Sequence, residues 1–258
     1  MFEINNMKII FTAAIFAVSL FAFVSEAETP YQKEGEKFSV GVRGGVTISS
    51  VMFNPGLSSK TMGAESYPQV VYGGQLGVVF NYRIKGWFYL QPGVTYSMQG
   101  SKIEKGYVTH WSYSDLRNDI LARFEKVRYK ENALIHYLKF PLLLSFRSSE
   151  HKSIQFLCNT GPYLAAGLAG DIRYSRIDNY SNEIEKNTEP FFEGDRYKRF
   201  DAGWHLGLGI KFKRFYVGGY YEISFVDLRD FEKRLKQPYL NSVGSISLGY
   251  DFAIRGRN

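Results

Sequence analysis

After position 37, bulky apolar residues recur at every second position along most of the chain. The first run sets Phe38, Val40, Val42, Val46 and Ile48 against Ser39, Gly41, Arg43, Gly45 and Thr47. The same rule governs 70–82, 88–98, 134–146, 154–168, 200–212, 215–225 and 246–252, with the apolar parity moving from even to odd only in 215–225. Successive side chains of a strand point to opposite faces, so this period predicts strands with two unlike faces; a helix would repeat at three and four residues. Eight strands are predicted.

The connections between them alternate in length. Residues 83–86, 147–153 and 213–214 are short, whereas 51–69, 100–133, 171–199 and 226–241 are long and polar. An even number of roughly ten-residue strands, with short turns at one end and long loops at the other, is the pattern of an outer-membrane barrel. The expected fold is therefore all-β: an eight-stranded antiparallel up-and-down transmembrane β-barrel. In that topology both termini and the short turns face the periplasm, and four long loops face outward.

Alternation alone also fits a soluble lipocalin-like barrel. The composition of the two faces separates the alternatives. The bulky face carries no Asp, Glu, Lys or Arg in any of the eight runs; its most polar member is His136. The other face is mostly Gly, Ser, Thr, Gln and Asn, with the charges Arg43, Arg83, Lys139, Asp201, Lys211, Glu222 and Asp251. A soluble barrel would carry long solvated Lys and Glu outside. A small polar face suits the crowded lumen of eight strands. An uncharged bulky face suits lipid, where a midplane Arg or Lys costs about 2–4 kcal/mol. Aromatics of the apolar face concentrate near strand ends: Tyr82, Phe88, Phe146, Phe212, Phe215 and Phe252 by the short turns, Tyr72 and Phe225 by the loops. They read as interfacial girdles.

The N-terminus differs from everything after it. Lys8 precedes an uncharged apolar run at 9–24, and Ser25-Glu26-Ala27 then supplies a small-x-small pattern. This is the order of a secretory signal peptide, expected at 1–27 with Met1 or Met7 as the start. An uncleaved anchor helix is the alternative, but no basic stop-transfer cluster follows. A short periplasmic lead at 28–37 and a barrel domain at 38–258 complete the expected organisation. With one apolar run long enough to span as a helix, the chain is not a helical membrane bundle. A hydrophobic content of 45% excludes disorder, and a single cysteine, Cys158, excludes a disulfide framework.

Several segments carry a family resemblance: VGVRGGV at 40–46, LQPGVTYSMQG at 90–100, YLKFPLLLSF at 137–146, NTGPYLA at 159–165, FDAGWHLGLGIKF at 200–212 and LGYDF at 248–252. In this order they resemble the Bacteroidetes outer-membrane β-barrel family often called PorT-like. The resemblance implies an eight-stranded outer-membrane barrel, and for one branch an association with type IX secretion. One departure is that six residues, 253–258, follow the last aromatic, Phe252.

No catalytic, cofactor or metal site is expected. The four histidines, His110, His136, His151 and His205, show no paired spacing, and no G-x-S-x-G elbow occurs. His205 and Asp201 share the polar face and are the one pair to weigh for a rim hydrolase. Four strand residues separate them by about 13 Å, too far for contact, so a lumen histidine bonded to strand neighbours is the better reading. Cys158 is expected on the lipid face. The lumen charges should pair, because an unpaired buried charge is costly, and Tyr89, Tyr163, Tyr216 and Tyr220 share that face. A plugged lumen follows more naturally than an open pore. In 115–128, Leu116, Ile120, Phe124 and Val127 have helical spacing; a helix at the barrel mouth and an extension of the strands are both open readings. Expected partners are outer-membrane lipid and lipopolysaccharide, which the net charge of +7 favours, and proteins met through the loops. Nucleic acid is excluded by export, and a monomer is expected. A non-enzymatic barrel with a structural, binding or secretion-associated role is thus the leading reading, ahead of a small channel and a rim lipid hydrolase.

Overall fold

The computed structural model describes residues 37–52, 66–112, 123–148, 154–177, 183–193, 197–228 and 240–253. They form ten strands: β1 (Phe38–Met52), β2 (Ser66–Gln69), β3 (Val71–Lys85), β4 (Phe88–Ser112), β5 (Arg123–Arg147), β6 (Ile154–Ile177), β7 (Glu183–Pro190), β8 (Phe200–Phe212), β9 (Phe215–Ser224) and β10 (Leu240–Ala253). Eight of them close an antiparallel ring in the order β1–β3–β4–β5–β6–β8–β9–β10. Closure is made by β1 against β10, from Ser39↔Ala253 to Met52↔Leu240. A closed ring leaves no unpaired strand edge in the lipid, which is what permits a sheet to span it.

All eight runs of alternation are barrel strands, and the faces sit as expected. Val46, Leu76, Leu142, Leu164, Leu208 and Leu248 are exposed on the outside, while Thr47, Gln75, Ser97, Ser145 and Ser247 are buried within. The expected girdle residues also point outward, and at the short-turn end they pack together: Phe88 lies 5.4 Å from Phe146 between ring centroids, and Phe215 meets Tyr250 edge to face at 5.1 Å. Cys158 has outward parity but is only 3% exposed, seated between its cross-strand neighbours Phe146 and Leu208.

Three prolines lie inside neighbouring strands, where a missing N–H costs a ladder bond. Pairing of β4 with β5 passes from Pro92↔Leu142 to Thr95↔Lys139, and pairing of β5 with β6 from Pro141↔Tyr163 to Leu144↔Thr160. Gly161 occupies the second gap at φ 159°. A Cβ there would run into the Leu142 carbonyl, so the close strand approach needs glycine.

The structure corrects the reading of the long connections. Strands β4 and β5 run well past position 100, pairing as far as Ser112↔Arg123. Phe124 and Val127, placed at helical spacing by the sequence, are strand residues opposite Trp111 and Tyr107; Leu116 and Ile120 lie outside the described residues. Cross-strand pairing between β4 and β5 takes up backbone groups here that a short amphipathic helix would have to satisfy within itself. β6 likewise continues to Ile177, and the short strands β2 and β7 add to β4 and β6 beyond the ring. The expected signal peptide and most of the lead, residues 1–36, lie outside the described residues.

Candidate functional site

The lumen holds the chain's convergent polar chemistry, and it is built from the inward positions of all eight ring strands. At mid-depth, Glu222 of β9 stands directly opposite His205 of β8. Its carboxylate pairs with Lys139 Nζ through one oxygen and lies 3.0 Å from His205 Nδ1 through the other. Lys139 also sits 5.0 Å from the Tyr163 ring centroid. The His205 ring packs 4.4 Å from that of Tyr220, whose hydroxyl donates to Gln75. Each charged side chain therefore has an opposite charge, as burial at low dielectric requires.

Toward the short turns, Asp251 of β10 bridges Arg43 of β1 and Lys211 of β8, the latter at 2.8 Å. Arg43 lies 4.3 Å from the Tyr216 ring centroid. Glycines make the room: a Cβ on Gly249 would meet Arg43 Cδ at 2.5 Å, and one on Gly209 would meet the Tyr216 ring at 2.6 Å. At these two positions glycine is required by the size of the side chain beside it.

Arg147 is a lumen residue that the sequence reading assigned to a short turn. It is 2% exposed, stacks 3.9 Å from the Tyr89 ring centroid and donates to Asn81 and Ser145. Its odd parity with Ser145 and Leu143 was the available signal. Arg83 keeps the inward parity of Asn81 and stands opposite Tyr89, half-buried at the rim of the lumen just before a register shift.

Asp201 and His205 are not brought together. Asp201 accepts from the Ser224 hydroxyl and, at 3.2 Å, from the Asn241 amide, while His205 turns to Glu222. No hydroxyl within the described contacts of His205 is placed to be activated by it, which a nucleophile–base pair requires.

Toward the long connections the filling changes character. Ala133, Ile135, Tyr137, Tyr163, Ala165, Ile172 and Phe191 form one buried cluster, and Val51, Ile103 and Leu228 a second. Phe191 and Phe192 follow β7 and fold back onto β6. The Phe191 N–H donates to the Gly170 carbonyl at 2.7 Å, and Phe192 lies over Gly167 with Arg199 4.7 Å from its ring centroid. Between the two ionic groups remains a cavity of about 70 Å³, lined by Arg43, Gln75, Lys139, His205, Glu222 and Ser247 among others. It has room for a few water molecules and several polar groups to hold them.

Solved structures with a similar course of chain are outer-membrane proteins. The attachment invasion locus protein Ail of Yersinia pestis is 14% identical, with 84% of this chain and 99% of that one covered at a TM-score of 0.34. OprG of Pseudomonas aeruginosa is 12% identical, covering 85% and 98% at 0.39. Neisserial surface protein A is 10% identical, covering 86% and 100% at 0.33. No curated protein matches the chain in sequence. The family model described as outer membrane protein beta-barrel domain matches residues 30–230. The closed ring with an apolar exterior agrees with this match, and the chain belongs to the outer membrane protein β-barrel domain family, a barrel of the outer membrane.

Proposed function

We propose that this barrel is a non-enzymatic outer-membrane protein with a plugged lumen, which works through the surface it presents at its long-connection end. The observation that carries the reading is the filling of the lumen at three successive depths: the Arg43–Asp251–Lys211 group, the Lys139–Glu222–His205 group and the Phe191 cluster. An eight-stranded barrel is only just wide enough for its own side chains. In this reading residues 1–27 are a signal peptide, the long-connection end faces outside, and the role is structural, adhesive or associated with secretion, as the PorT-like segments suggest.

The experiment is single-channel recording of the purified protein in a planar bilayer. The expected trace is flat, with no steady openings. A small channel is the second reading, favoured by the polar cavity between the ionic groups; steady, ion-selective openings from the monomer would establish it and remove the first.

A further inference from the structure

Above the ring, β4, β5 and β6 continue as a sheet whose outer face is charged. Its most buried inward positions include the apolar Ile103, Ala133, Ile135 and Ile172, each 1–2% exposed. By alternation the outward positions are Lys102 and Glu104 on β4, Lys130 and Asn132 on β5, and Asp171, Arg173 and Ser175 on β6. The ladder sets Lys102 opposite Asn132, and Asn132 opposite Arg173. Two strand spacings separate Lys102 from Arg173, about 10 Å. Lys130 lies diagonally from Lys102, about 7–8 Å away. Three cations thus surround one exposed amide, Asn132.

These cations are available. Lys102, Lys130 and Arg173 make no hydrogen bond or ion pair among the described residues, although Glu104 stands directly opposite Lys130 and Asp171 lies two residues from Arg173 on the same face. Lys186 of β7, outward beside Ser175, brings a further positive charge to the edge of the group.

The depth of the group identifies what it meets. On β4, Phe88 belongs to the girdle at the short turns and Lys102 comes fourteen residues later. That is about 46 Å of strand at ~3.3 Å per residue, or roughly 35 Å of height at a tilt of about 40°. An apolar band about 25 Å tall ends roughly 10 Å lower. Directly below the group, His136 bonds the Tyr96 hydroxyl, an interfacial pair. The cations therefore stand at the headgroup level of the leaflet that the long-connection end faces.

We infer that Lys102, Lys130 and Arg173 form a binding site for a phosphorylated lipid headgroup of that leaflet, with Asn132 as a central hydrogen-bond donor. Phosphate oxygens would neutralise three cations that have no ion pair among the described residues, and the acyl chains would lie along the apolar wall of Leu134, Leu138 and Phe140 beneath. The inference rests on the outward orientation proposed above.

The test uses the full-length protein, folded and purified in a zwitterionic detergent. It is titrated with lipid A carrying its phosphates, with enzymatically dephosphorylated lipid A, and with inorganic phosphate. Phosphorylated lipid A should bind most tightly, and replacing Lys102, Lys130 and Arg173 by Gln should weaken it by roughly fivefold per cation removed. Lys213→Gln, the same charge change at a short turn, should leave binding unchanged. Equal binding by the triple variant, or by dephosphorylated lipid A, would overturn the site. Inorganic phosphate binding as tightly as the lipid would replace it with a free-anion site. Heat-modifiable migration on gels confirms that each variant is folded. Orientation is read separately, by whole-cell labelling of Asn187→Cys in a Cys158→Ala background. No labelling there would remove the outward orientation and this proposal with it; labelling without any cation dependence of lipid binding would remove this proposal alone.

Discussion

The same three strands show opposite polarity at two heights. Within the ring, β4, β5 and β6 turn Tyr96, Leu142 and Leu164 outward and Ser97, Ser145 and Asn159 inward. Above it, they turn Lys102, Lys130 and Arg173 outward and Ile103, Ile135 and Ile172 inward. The backbone period is identical throughout; what reverses is the medium outside. In lipid the exterior must be apolar, and a narrow interior can be filled by paired charges. In water the exterior is charged, and the interior can become an ordinary hydrophobic core. On β6 the crossing also needs a change of parity. Leu168 has no partner between Tyr137↔Gly167 and His136↔Ala169, and this one-residue bulge lets Ile172 face inward.

The largest test removes an ionic partner from the lower region. Glu222→Ala leaves Lys139 buried at 2% exposure without its carboxylate. The expected loss is about 3–5 kcal/mol, the usual consequence of breaking a buried pair, read as a fall in urea midpoint for unfolding from lipid vesicles. An unchanged midpoint would mean that the lumen is wet enough to solvate the lysine.

The boundary between the two regions is tested by placing Arg on the outward face of β5 on either side of it. Leu142→Arg should cost about 2–4 kcal/mol and impair heat-modifiable folding. Asn132→Arg, ten residues away on the same face, should stay within about 0.5 kcal/mol. Equal effects at the two positions would erase the boundary.

Gly167→Ala probes where the upper core closes on β6. A Cβ there collides with the Phe192 ring, and overpacking of this kind costs about 1–3 kcal/mol. The measurement is thermal melting alongside protease cleavage at the segment following β7; melting unchanged and cleavage unchanged would show Phe192 free to move aside. A smaller loss is expected from Ile135→Val, about 0.5–1.5 kcal/mol for one buried methylene, read in the same melting experiment. A loss as large as that of Glu222→Ala would contradict the view that the upper region is held by additive apolar contacts.

The barrel and its two faces were legible in the sequence because lipid imposes a strict rule on one face of every strand. The strand extensions were legible only as one of two open readings for 115–128, since above the boundary the apolar parity passes to Ile103, Ala133 and Ile135, and charges on both parities read as loop. The lumen was partly legible. Tyr89, Tyr163, Tyr216 and Tyr220 and the seven named charges have inward positions, Arg83 at the rim, but Arg147 was missed because it sits next to a turn, where the alternation alone does not tell the last strand residue from the first turn residue. Cys158 had the right parity, and only the packing of Phe146 and Leu208 beside it determined that its thiol is covered.

What the sequence determined by itself is therefore the number of ring strands, the face each residue takes and the medium outside, since a period of two is local and needs no partner to be read. Which charge meets which was decided only in three dimensions. Asp201 and His205 are four residues apart and point into the same lumen, yet the stagger of the closed ring gives His205 to Glu222 and Asp201 to Ser224 and Asn241. Shear between strands is a property of closure, summed around all eight, and no single strand encodes it.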